Sequence, residues 1–173
     1  MSASTVLFLV LRAAHVLIAA IWIGAVAFVT FFLMPSLQEA GPSAGPVMAA
    51  LMRRKLHVFM ASIGGTTVLT GIYLYYRFTG GFDPALSGTR SAMVFGTGGL
   101  AGIVALILGG AVVARNAKKM GELGAKLASA RDPERAALAT QMSAARQRAA
   151  SASLLVVILQ VIAIVLMALG HYV

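Results

Sequence analysis

The sequence predicts an all-α, polytopic membrane protein: a four-transmembrane-helix bundle whose third and fourth helices run on as a cytoplasmic helical hairpin. Three observations lead there. The 173 residues are 60% hydrophobic and only 11% charged, against about 25% charged in an ordinary soluble domain, and the mean hydropathy is +0.90. A water-soluble fold of this size has no interior large enough for that much apolar surface. The apolar residues fall in four runs free of Asp, Glu, Lys and Arg, at 13–38, 56–76, 91–114 and 149–173, each long enough for the roughly 20 residues that cross a bilayer as a helix. The cations segregate as well. Arg53, Arg54, Lys55, Arg115, Lys118, Lys119, Lys126, Arg131, Arg135, Arg146 and Arg148 share one side, and Arg12, Arg77 and Arg90 share the other.

The first span is expected over about 6–34, ending near Pro35. Its apolar run is too long for a cleavable signal and lacks a basic leader. The connection to the second span carries Gly41-Pro42 and Gly45-Pro46, both turn signals. The second helix, about 56–78, can begin early, near Val47, with its first turns along the membrane surface. Thr79-Gly80-Gly81-Phe82-Asp83-Pro84 reads as an outer turn. The third span covers about 91–114 and the fourth about 150–172, with the hairpin between them at about 115–149. Asp132-Pro133 is a helix-start signal, Asp capping and Pro at the first position. Leu138, Met142, Ala145, Ala149, Ala152 and Val156 recur at 4-3-4-3-4 spacing, and Val113, Ala117, Met120, Gly124 and Leu127 repeat similarly before the break. These read as two facing seams; the competing reading is an amphipathic segment lying on the membrane. Gly98, Gly102, Ala101 and Ala105 on helix 3, and Gly64, Gly65 and Gly71 on helix 2, are small residues of the kind that let membrane helices approach.

The distribution of cations sets orientation and location. Positive charge stays on the cytoplasmic side, so the sequence predicts a protein of the cell's inner (cytoplasmic) membrane with both termini outside the cytoplasm. The net charge of +9 is explained the same way and needs no nucleic-acid partner. With no cysteine, disulfides, thiolate zinc, iron–sulfur clusters and thioether-linked haem are excluded. No carboxylate lies within an apolar run, which speaks against a carrier built on a membrane Asp or Glu. No phosphate loop, nucleophile elbow or HExxH occurs.

The candidate chemistry is imidazole. His15 lies 20 residues before Pro35, near the outer boundary, and His171 reaches similar depth on the fourth helix; His57, just after Arg53-Arg54-Lys55, sits at the inner boundary. Two histidines at one depth on different helices suit the axial positions of one haem iron, with His15 and His171 the expected pair and His57 the alternate. Arg12 and Trp22 share the His15 face, and Arg12, Arg77 and Arg90 are cations at the level where haem propionates need them. Gln160 is the amide deep in helix 4, on a stripe with Ile164, Met167 and His171. Met48, Met52, His57 and Met60 are soft enough for copper and define a second possibility.

The stretch Leu11-Arg12-Ala13-Ala14-His15-Val16-Leu17-Ile18-Ala19-Ala20-Ile21-Trp22-Ile23-Gly24 resembles the first helix of CopD/HemJ-type membrane proteins. In these an LxxxHxxxxxxWxG-like opening is followed by a second helix introduced by basic residues. Arg53-Arg54-Lys55-Leu56 followed by Leu69-Thr70-Gly71-Ile72-Tyr73-Leu74 is similar to that second part, so the resemblance covers about the first 80 residues. It implies haem b with a role in porphyrinogen oxidation, or copper uptake, and it carries over His15. The expectation is therefore a b-type haem protein in electron transfer or quinone- or porphyrinogen-linked oxidoreduction, embedded in lipid, with a quinone or other redox partner and with room for an oligomer. The alternatives are a copper-handling protein and a non-catalytic subunit that docks a partner through the hairpin.

Overall fold

The computed structural model describes residues 2–173, Pro42 by its backbone alone. All its regular structure is helical among these residues: α1 (Ala3–Phe28), a π-helical turn (Val29–Leu33), α2 (Met34–Glu39), a 3₁₀ turn (Gly41–Ser43), α3 (Ala44–Arg53), α4 (Leu56–Phe78), α5 (Pro84–Ser87), α6 (Arg90–Leu108), a second π turn (Gly109–Ala114), α7 (Arg115–Leu127) and α8 (Glu134–Leu169). Four helical rods are long and apolar enough to cross a membrane: Ala3–Glu39, Leu56–Phe78, Arg90–Leu127 and Glu134–Leu169. The chain is a multi-pass α-helical membrane protein.

Burial follows from the solvent. Val16, Leu17, Phe32, Leu69, Leu100, Ile107 and Val161 face outward, while Ala92, Ala101, Ala105, Ala145, Ala149 and Ala152 are buried. Lipid tails are as apolar as leucine, so large side chains gain nothing by turning inward; small ones let the helix backbones close up. Consecutive rods are neighbours, α1 on α4, α4 on α6 and α6 on α8, and α8 also meets α1.

The first rod does not stop at Pro35, as the sequence suggests, but runs on to Glu39. Pro35 has no N–H for the Phe31 carbonyl, and its ring would strike that carbonyl in a regular α-helix. The π turn at Val29–Leu33 widens the helix just before the proline. The expected early start of the second span is instead a separate helix, α3. It is cut from α4 at Lys55, whose φ of +56° is left-handed.

Two helix starts were exchanged. Asp83-Pro84, read as part of a turn, opens α5: Asp83 Oδ1 accepts from Ala85 N at 2.8 Å and Leu86 N at 3.3 Å. At Asp132-Pro133 the helix begins one residue later, so Pro133 holds the cap position and no side chain caps α8.

The α8 seam follows the predicted spacing, with Leu138, Ala145, Ala149, Ala152 and Val156 buried and Met142 half-buried. Its partner stripe is borne out in part: Val113, Met120 and Leu127 are half-buried, but Ala117 and Gly124 are exposed and the fully buried residue is Leu123. Leu123 lies 18 residues beyond buried Ala105, but the intervening π turn holds more residues per turn than the 3.6 of an α-helix, so regular α spacing does not carry the stripe across. The second π turn lies between them, and there Asn116 Nδ2 donates to the Val112 carbonyl at 2.8 Å.

Candidate functional site

The contact of α1 with α4 seats two rings against two glycines. Trp22 is 6% exposed, packed with Ala105, Val156, Ile63 and Leu106. A Cβ on Gly64 would stand 2.9 Å from Trp22 Cε2 and 2.9 Å from Leu106 Cδ1. Seven residues away on each helix, a Cβ on Gly71 would stand 3.0 Å from His15 Cε1. The two helices are antiparallel, so the seven-residue step from His15 to Trp22 meets the seven-residue step from Gly71 to Gly64. Each glycine serves as the floor under a ring that a methyl group would lift.

That seat orients His15. Its Nδ1 donates to the Thr67 carbonyl at 3.0 Å and to Thr70 Oγ1 at 3.0 Å. Thr70 in turn donates to the Thr66 carbonyl at 2.7 Å. A carbonyl has no proton to give, so Nδ1 carries the hydrogen. In the neutral ring the lone pair is then on Nε2, and among the described residues no hydrogen bond reaches that atom.

His171 is placed differently. Arg12 Nη2 donates to its Nε2 at 2.6 Å, and its ring stands edge-on to Phe95 with centroids 5.0 Å apart. Phe95 in turn packs on Phe78. The tail is held to α6 by Ser91 Oγ, which donates to the Val173 carbonyl at 2.6 Å. So α1 and α8 do meet at one end, through Arg12 and His171, while His15 one turn along α1 is bonded to α4. Arg77 lies in the last turn of α4, exposed. Arg90 lines an open groove with Met93, Thr97, Leu166 and Val173. Both arginines are on the same end as Arg12.

His57 is exposed in the first turn of α4, at the opposite end of the spans. Met60 shares its helix, but Met48 and Met52 belong to α3, across the break at Lys55. No group of three His, Asp or Glu residues is gathered to hold a metal among the described residues. Gln160 is 3% exposed, buried between the helices, and neither Oε1 nor Nε2 has a protein hydrogen-bond partner among the described residues.

Sequence reasoning missed the Thr67 carbonyl and the Thr70 hydroxyl as partners of His15, and it took Gly71 and Gly64 for ordinary packing. The signal for the glycines was present, as the equal seven-residue spacing of rings and glycines on consecutive helices. Comparison of the chain with protein-family models, curated proteins and solved structures returns no match in any of the three.

Proposed function

We propose that this is an integral membrane b-type haem-binding protein in which His15 Nε2 would ligate the iron, serving electron transfer or quinone- or porphyrinogen-linked oxidoreduction. The observation that supports this is the double tie on His15 Nδ1. Metal-bound histidines donate their other ring N–H to a carbonyl or similar acceptor, which fixes tautomer and orientation and raises the ligand's basicity. Thr67 and Thr70 do this for His15. One imidazole is free to hold the group: His171 gives its Nε2 to Arg12, so His15 would be the ligand, and His171 would be a second one only on leaving Arg12. Arg12, Arg77 and Arg90 are the cations for propionates. Haem there supplies one-electron chemistry; the chain positions and tunes it.

In this reading the α7–α8 hairpin lies in the cytoplasm, on the side of the eleven basic residues, in the inner membrane of the cell. The test is the absorption spectrum of detergent-purified protein, oxidised and dithionite-reduced, with metal analysis of the same sample. The expected result is a sharp reduced α-band with iron near one per chain. His15→Ala abolishes the band, and Thr70→Val weakens it. A colourless protein without iron overturns the proposal. Copper in that sample would move the assignment to the methionines and His57. Neither metal would favour the docking subunit, whose hairpin is the feature built for it.

A further inference from the structure

We infer that the border between the second π turn and α8 holds a binding groove for the headgroup of an anionic phospholipid. A shallow, largely open groove of about 500 Å³ is lined by Val112 of the second π turn and by Ala144, Gln147, Arg148 and Ser151 of α8. Its depth is set by the sequence on both walls. Arg148 is the last charged residue before the uncharged run 149–173, and Arg115, three residues past Val112, is the first after the run 91–114. The groove therefore straddles the level where aqueous phase meets hydrocarbon.

Its chemistry is one-signed. The guanidinium of Arg148 matches two oxygens of a phosphodiester, and the Gln147 amide and Ser151 hydroxyl are further donors. No carboxylate lines it, and Glu122 on α7 is drawn to Lys118 at 4.0 Å. Below Ser151 the same face of α8 continues as Leu155 and Ile158, both exposed, then Ile162, at 3–4 residue steps. An acyl chain attached to the phosphate has an apolar track to lie on, which a free phosphate cannot use. Charge complementarity and this track together favour a lipid, and its net negative charge distinguishes it from a zwitterionic one, whose ammonium would meet Arg148.

The test uses the full chain in phosphatidylcholine vesicles, with spin-labelled phosphatidylglycerol or spin-labelled phosphatidylcholine as reporter of motionally restricted lipid. The expected result is a preference for phosphatidylglycerol that falls about fivefold in Arg148→Gln, the scale of one cation near a charged surface. Arg135→Gln, an equal loss of charge far along the hairpin, leaves it unchanged. Ser151→Ala gives a smaller loss and carries the test should Arg148→Gln fail to fold. Equal losses in the two arginine variants would overturn the site in favour of diffuse attraction. An absent preference in the parent chain would overturn it as well. Displacement by millimolar inorganic phosphate would assign the groove to a soluble anion instead.

Discussion

Gly64 and Gly71 carry more of the architecture than their size suggests. Trp22 and His15 lie on them, and in each case the missing Cβ is what lets a ring meet a backbone. Gly64→Ala forces the indole and Leu106 apart in a packed interior, and overpacking of that kind costs about 1–3 kcal/mol. Gly65→Ala, with open space around it, is expected to keep or slightly raise stability, since Ala is the better helix former. Thermal unfolding of the two variants in detergent measures the difference; equal midpoints would mean that Trp22 does not rest on α4. Gly71→Ala pushes on His15 Cε1 from 3.0 Å. The ring must shift by a few tenths of an ångström against bonds already at 3.0 Å. The expected outcome is loss of a slowly exchanging His15 Nδ1 proton in ¹⁵N-histidine spectra, with the fold retained.

At the scale of elements, the first π turn lets the first rod continue through Pro35. Regular helix would place a prolyl ring against the Phe31 carbonyl, and the chain widens there rather than ending. At 36 residues, α8 is about 54 Å long, far more than the roughly 30 Å of hydrocarbon. Its charged first half is the surplus, and α7 is the partner that covers its apolar stripe. Leu123, 5% exposed, is the main large side chain in that seam on α7. Leu123→Ala is expected to remove about 2–5 kcal/mol of packing from the hairpin alone. Limited trypsin digestion should then cut after Lys126 or Arg131 markedly faster, with the spans still protected. Ala117→Ser, on the exposed face, should digest like the parent. Similar rates for Leu123→Ala and the parent would mean that α7 does not hold to α8.

At the scale of the whole molecule, alanine makes up much of what is buried, while many leucine, isoleucine, valine and phenylalanine side chains face outward. The absence of native cysteine makes its orientation directly measurable. Ser129→Cys, in the α7–α8 connection, and Ala85→Cys, in the α4–α6 connection, both replace exposed residues. In intact cells a membrane-impermeant maleimide should label Cys at 85 and reach the one at 129 only after the membrane is opened. The reverse pattern would invert the positive-inside assignment.

The sequence by itself determined the number of spans, because unbroken apolar length is a one-dimensional quantity that hydrocarbon thickness reads directly. It also determined the α8 seam, because burial along one helix repeats every 3.6 residues. It could not place the end of the first rod, since a proline stops or only bends a helix according to how the preceding turn adapts. Nor could it choose between two Asp-Pro signals, of which only Asp83 caps. The seam on α7 was legible only in part, because many small residues offer several stripes and the π turn at Gly109–Ala114 resets the phase before α7. The site shows the same division. Imidazole at matching depth was legible for His15 and His171, but depth says nothing of rotation about the helix axis. Tertiary structure decided that Arg12 takes His171, that Thr67 and Thr70 take His15, and that two glycines on another helix make room for the rings. Those are relations between surfaces, fixed only when the helices pack.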